Sequence, residues 1–83
     1  MALIDIEVIS PAGVVFKGSA YLVNIPAIDG EMAFAPDCES VVTIIDKGDI
    51  KIFDQSMQLI EKILVKGGTA KISNNKLDLL IDI

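Results

Sequence analysis

The sequence predicts an all-β sandwich, and three observations carry that prediction. Clusters of Gly, Pro, Asn, Asp and Ser interrupt the chain about every 8–12 residues, the spacing of turns between short strands. Valine and isoleucine supply 21 of the 83 residues, and β-branched side chains suit a pleated, half-buried surface. Between the turns, apolar and polar residues alternate with period two, as in a strand buried on one face.

The elements follow in order. Ile4, Ile6 and Val8 oppose Asp5 and Glu7, which predicts a first strand. Ser10-Pro11-Ala12-Gly13 breaks it, because proline cannot feed a central ladder and glycine accepts positive φ. Val14-Val15-Phe16 forms the second strand, and Gly18 is expected to be a kink or bulge. A third strand covers residues 20–25 and stops at Pro26. Residues 26–39 form the longest stretch without clean alternation, and so predict a long functional loop. Val41–Ile45, the turn Asp46-Lys47-Gly48-Asp49 and Ile50-Lys51-Ile52-Phe53 predict a hairpin. Residues 57–65 fit a helical stripe through Leu59, Ile60, Ile63 and Leu64 with Ser56 as N-cap, but they also alternate as Met57, Leu59, Glu61, Ile63 and Val65. The strand-and-turn spacing on both sides favours strand. Gly67-Gly68 predicts a turn or bulge. Asn74-Asn75, two residues that tolerate left-handed geometry, predict a tight hairpin between residues 69–73 and 76–82, with Leu77, Leu79 and Ile81 inward.

Composition excludes several kinds of function. Eighty-three residues make one small domain with a thin folding margin, since a chain of ~60 residues buries only about 60% of its unfolded surface. Twelve acidic residues face seven lysines and no arginine, for a net charge of −5. Phosphate-backbone binding needs clustered cations, so nucleic acid is not an expected partner. With no Trp and one Tyr, stacking platforms for bases are missing as well. Histidine is absent and cysteine occurs once, which removes Cys/His metal sites, His-based nucleophile pairs and disulfide frameworks. The lone cysteine fits a reducing compartment. Asp5 and Glu7 stand where a signal peptide would be apolar, so a soluble, unprocessed chain is expected.

Few residues offer chemistry. Gly67-Gly68 lacks the lysine, the hydroxyl and the helix of a phosphate cradle. Asp29 and Glu31 have no histidine or pocket to tune them and are expected in water. Asp46, Asp49 and Asp54 lack the spacing of a calcium loop. Cys38 lies between Asp37 and Glu39, whose negative charge disfavours the thiolate, so an inert thiol is expected. Met32 and Phe34 lie on the long loop, either as an exposed apolar patch for a partner or as a cap on one end of the sandwich.

Three runs, in order and spanning the chain, resemble a known family. They are Ser10-Pro11-Ala12-Gly13-Val14-Val15-Phe16-Lys17-Gly18-Ser19-Ala20; then Val23-Asn24-Ile25-Pro26 leading to Asp29-Gly30-Glu31-Met32 and Pro36; then Gly67-Gly68-Thr69-Ala70-Lys71-Ile72-Ser73-Asn74-Asn75-Lys76. Together they resemble the N-terminal domain of the epsilon subunit of F-type ATP synthase. The resemblance implies a flattened antiparallel β-sandwich of about ten short strands, occupying residues 1–83 as one domain. It also implies a mechanical, non-catalytic role without a cofactor or small-molecule substrate. The domain would bind the gamma subunit and rest on the membrane ring, at the cytoplasmic face of the bacterial inner membrane, coupling proton-driven ring rotation to ATP synthesis.

Carried over by position, Asp29, Gly30, Glu31 and Met32 resemble the family's ring-facing loop, with Glu31 as its acidic contact. Ser10, Cys38, Glu39, Val42 and Thr43 resemble its gamma-facing surface. The chain departs from the family pattern at Ala27, where glycine is usual, and at Ala33-Phe34, where glycine followed by Ile or Leu is usual. Asp37-Cys38-Glu39-Ser40 stands where Gly/Asn-His-Ala-Pro is usual. The family normally continues into two C-terminal helices that inhibit ATP hydrolysis and, in some members, bind ATP. The sequence stops at Ile83, so neither property is expected of these residues. The alternative is a general β-sandwich adaptor that uses the Met32-Phe34 loop on another partner; an enzymatic reading through Asp29 and Glu31 lacks the chemistry of a site.

Overall fold

The computed structural model describes residues 2–83. Nine strands fill it: β1 (Ile4–Ser10), β2 (Gly13–Ala20), β3 (Leu22–Ala27), β4 (Gly30–Phe34), β5 (Val41–Ile45), β6 (Gly48–Phe53), β7 (Leu59–Val65), β8 (Gly67–Ser73) and β9 (Lys76–Asp82). No helix occurs among the described residues. Residues 57–65 are strand from Leu59 onward, as the turn spacing predicts. Ser56 caps no helix: its N–H donates to Asp54 Oδ1 at 2.9 Å, inside a turn that Met57 completes at φ 61°.

The strands form one continuous ladder in the order β2-β1-β9-β8-β5-β3-β6-β7, with β4 added on β3. The ladder folds over on itself into two layers, β2-β1-β9-β8-β5 and β4-β3-β6-β7. A single register pair, Ala27 opposite Ile45, links them through β3 and β5. The core lies between the layers. One layer contributes Ile4, Ile6, Val8, Ala20, Ile45, Ala70, Ile72, Leu77, Leu79 and Ile81; the other contributes Val23, Ile25, Ala27, Phe34, Ile50, Ile52, Ile63 and Val65. The alternation in β1 (Ile4, Ile6, Val8) and β9 (Leu77, Leu79, Ile81) therefore points inward as predicted. Pairing is antiparallel throughout except between β1 and β9, which run parallel. Parallel neighbours need a long connection, and the first and last strands have the whole intervening chain to provide it.

Several sequence expectations are corrected. The hairpin predicted between Val41–Ile45 and residues 50–53 does not form. β5 pairs with β8 and β6 with β7, while β5 and β6 lie end to end along one edge of β3. The chain runs on in one direction through Asp46 and Lys47, passing from one layer to the other. Its partner does the same through Lys66, since Ile45 faces Gly68 and Gly48 faces Val65. The true hairpin is therefore one long pair of bent strands closed by the turn at residues 54–58, and the glycines stand at its bend. A Cβ on Gly48 would lie 2.9 Å from Pro26 Cβ. Strands that switch sheets in this way make the corners of a sandwich.

Gly67-Gly68 is accordingly inside strand β8 rather than in a turn of its own. A side chain on Gly68 would overlap the Leu80 carbonyl oxygen and come within 2.9 Å of Ile81 Cα. Gly18 is no bulge; it pairs in register with Ile6 beneath the Phe16 ring, and the irregularity lies between Val8 and Ile9, where Val15 is left without a partner. The long loop of residues 26–39 is largely a second hairpin, with β3 running through Pro26 to Ala27 and β4 returning from Gly30. Asn74 and Asn75 form the predicted tight turn at φ 52° and 59° between β8 and β9.

Candidate functional surfaces

The tip of the β3–β4 hairpin carries the residues singled out as ring-facing. Ala27 pairs with Gly30 across Ile28 and Asp29. Neither central residue has positive φ, whereas Gly30 stands at 119°. Turns with negative φ at their centre splay twisted strands, and a following glycine absorbs the mismatch. Backbone bonds from Ile28 N to Ile44 O at 3.1 Å and from Asp46 N to Pro26 O at 2.6 Å tie the tip to the end of β5. Asp29 and Glu31 are exposed on this fixed tip, beside an Ile28 that is 59% exposed.

Met32 and Phe34 face the other way. Phe34 is buried and Met32 packs against the core, so they form no exposed patch, and the adaptor reading loses the surface it needed. Glu31 and Ala33, on the opposite parity of β4, are exposed.

The five residues singled out as gamma-facing are spread over the β2-β1-β9-β8-β5 layer. Ser10 is buried; its hydroxyl donates to Gly13 O and accepts from Ala12 N, both at 3.2 Å, so it shapes the β1–β2 turn. Cys38 and Glu39 are exposed near the β8–β9 turn, at the opposite end of the strands from Ser10. Val42 points outward and Thr43, half-buried opposite Ala70, points inward.

Val42 belongs to a larger surface. Register places Val14, Ile9, Leu80, Thr69 and Ile44 side by side across five strands, a row of about 19 Å at the usual strand spacing. Val14, Ile44 and Leu80 are each more than half exposed. The next row along the strands is charged, reading Lys17, Glu7, Asp78, Lys71 and then Val42. A shallow groove of about 420 Å³ lies over the two rows, between Ile9, Leu80 and Val42. Ile9, Val14, Ile44 and Leu80 were not singled out from the sequence. For Ile44 a signal was present, because Val41–Ile45 is apolar at both parities, the mark of a strand covered on both faces.

Residues 3–83 match the family described as the beta-sandwich domain of the ATP synthase Delta/Epsilon chain. Over 82 residues the chain is 30% identical to the ATP synthase epsilon chain of Helicobacter pylori, covering 99% of this chain and 65% of that protein. It is 26% identical to the epsilon chain of Sulfurimonas denitrificans, covering 99% of this chain and 62% of that one. The chain thus spans just under two thirds of the length of these curated relatives. The Euglena gracilis mitochondrial ATP synthase, in a structure of its OSCP, F1 and c-ring, contains a chain that superposes with a TM-score of 0.88 at 16% identity, covering 98% of this chain and 51% of that one. The central stalk and c-ring of the Tetrahymena thermophila enzyme give 0.78 at 9% identity, covering 96% and 63%. At these identities the two likenesses concern the fold.

Proposed function

The chain belongs to the β-sandwich family of the ATP synthase delta/epsilon chain, and on that premise we propose that it serves as a non-catalytic subunit of the central stalk. It docks the gamma shaft onto the membrane ring, so that proton-driven rotation of the ring is coupled to ATP synthesis. Residues 1–83 act as one β-sandwich domain, held peripherally at the cytoplasmic face of a bacterial cell membrane. Among the described residues no helix is long and apolar enough to cross a membrane.

The observation that carries this reading is the outward row of Ile9, Val14, Ile44 and Leu80 with Val42 beside it. A sheet face of this composition, apolar and bordered by a row of charges, suits a permanent protein neighbour better than water. The shaft takes this face, to which Val42 belongs, together with the exposed Cys38 and Glu39 of the gamma-facing set, while Thr43 supports β5 from its inward side. Ser10 contributes by shaping the turn at its rim. The hairpin tip takes the ring, with Asp29 and Glu31 supplying charge, Gly30 setting their direction and Met32 anchoring the tip in the core. Exposed acidic contacts give orientation at modest energy per pair.

Co-purification with gamma and with the membrane ring tests the reading: a complex with both is expected, and a complex with neither overturns it. Glu31→Lys is expected to weaken ring docking several-fold while the circular dichroism spectrum and melting temperature stay unchanged, because Glu31 is exposed. An unchanged complex would remove the loop from the ring contact.

A further inference from the structure

Asn75 makes three hydrogen bonds to two separate segments of the chain. Its carbonyl oxygen accepts from Asp5 N at 2.8 Å. Its side-chain oxygen accepts from Asp37 N at 2.7 Å, and its side-chain amide donates to Asp37 Oδ1 at 3.1 Å. The last two bonds close a reciprocal ring between residues 38 positions apart. Both residues take left-handed backbone geometry, 64° at Asp37 and 59° at Asn75, which short polar side chains adopt at lower cost than most larger ones. A second link follows three residues later, where Ser40 Oγ donates to Ser73 Oγ at 3.3 Å.

Between these two links lie Cys38 and Glu39. Residues 38–40 belong to no strand or turn, so no ladder holds them. A segment of that kind loses backbone entropy when it docks, and affinity falls accordingly unless the segment is ordered beforehand.

We propose that Asp37 and Asn75 form a pin that holds the Cys38–Glu39 segment in its docking conformation, making both of them positioning residues for the shaft interface. The proposal rests on the reading that this segment faces gamma. It predicts an asymmetry among substitutions. Asp37→Asn keeps both bonds, since an asparagine oxygen accepts as the carboxylate does, and is expected to leave the pin intact. Asn75→Asp sets two carboxylates against each other and removes the donated bond. The swap of both residues, Asp37→Asn with Asn75→Asp, restores two bonds with the side-chain one reversed and leaves the net charge unchanged.

The test combines backbone amide relaxation of the free chain with its affinity for gamma. In Asn75→Asp, the order parameters of residues 38–40 are expected to fall from about 0.85 towards 0.6 or below, with gamma binding weakened about three- to tenfold. The double swap is expected to recover both. Asn75→Gly, which keeps the left-handed turn without the side chain, should behave as Asn75→Asp does and serves if the carboxylate variant does not fold. Unchanged order parameters in both single variants at Asn75 would overturn the pin. Looser residues with unchanged affinity, in a chain whose affinity still falls on Glu39→Ala, would overturn the positioning role while leaving the segment as a contact. Affinity insensitive to both Asn75→Asp and Glu39→Ala would remove the segment from the interface, and the positioning role with it.

Discussion

Pro26 occupies a position where a strand can do without a donor. β3 pairs with β6 at Leu22, Val23 and Asn24 and with β5 at Ala27. The proline falls between, where one neighbour gives way to the other, and only its carbonyl is used, by Asp46 N. Reading proline as the end of a strand was sound for a central ladder and failed at a seam. Phe34 illustrates the same limit from the other side: it looks unattached until Val23 is found opposite it. Being 2% exposed, it should behave as core, and Phe34→Ala is expected to cost about 3–5 kcal/mol of stability in urea unfolding. A loss below about 1 kcal/mol would return it to the surface.

At the scale of elements, the double glycine shows why local signals misplace a turn. Gly67-Gly68 does mark a sharp change of direction, but the change is a bend within a strand that continues, matched by Gly48 on the strand beside it. Gly68 is needed for its lack of a side chain against Leu80 and Ile81. Gly68→Ala is therefore expected to destabilise the domain by roughly 2 kcal/mol or more through backbone displacement. Gly13→Ala meets no atom within 4 Å, so its cost comes only from its φ of 128°. Comparison of the two melting temperatures checks this; equal losses would put the close approach in doubt. The Asn74-Asn75 turn, by contrast, was legible because its determinant is local: two adjacent residues that accept positive φ fix a two-residue hairpin.

For the molecule as a whole, the two layers leave one wide apolar face uncovered. Leu80 is more than half exposed at the middle of that face, with Ile9 and Thr69 opposite it on either side. Leu80→Lys is expected to leave thermal stability within about 0.5 kcal/mol of the parent and to lower gamma affinity at least tenfold, read by titration calorimetry. Intact binding would exclude this face as the shaft contact.

Fold class, the inward parity of β1 and β9, the final hairpin and the exposure of Asp29 and Glu31 follow from near neighbours: side-chain period, turn chemistry and charge act over two to five residues. Strand pairing does not. β5 offers apolar side chains at both parities, so its composition accepts β6 or β8 equally, and the choice falls to the bends that bring Ile45 to Gly68 and Gly48 to Val65. The same bends expose Val42 and Ile44 on one face while burying Ile45 in the core. Which apolar residues remain for a partner is a remainder after packing, and packing depends on contacts between residues far apart in the chain.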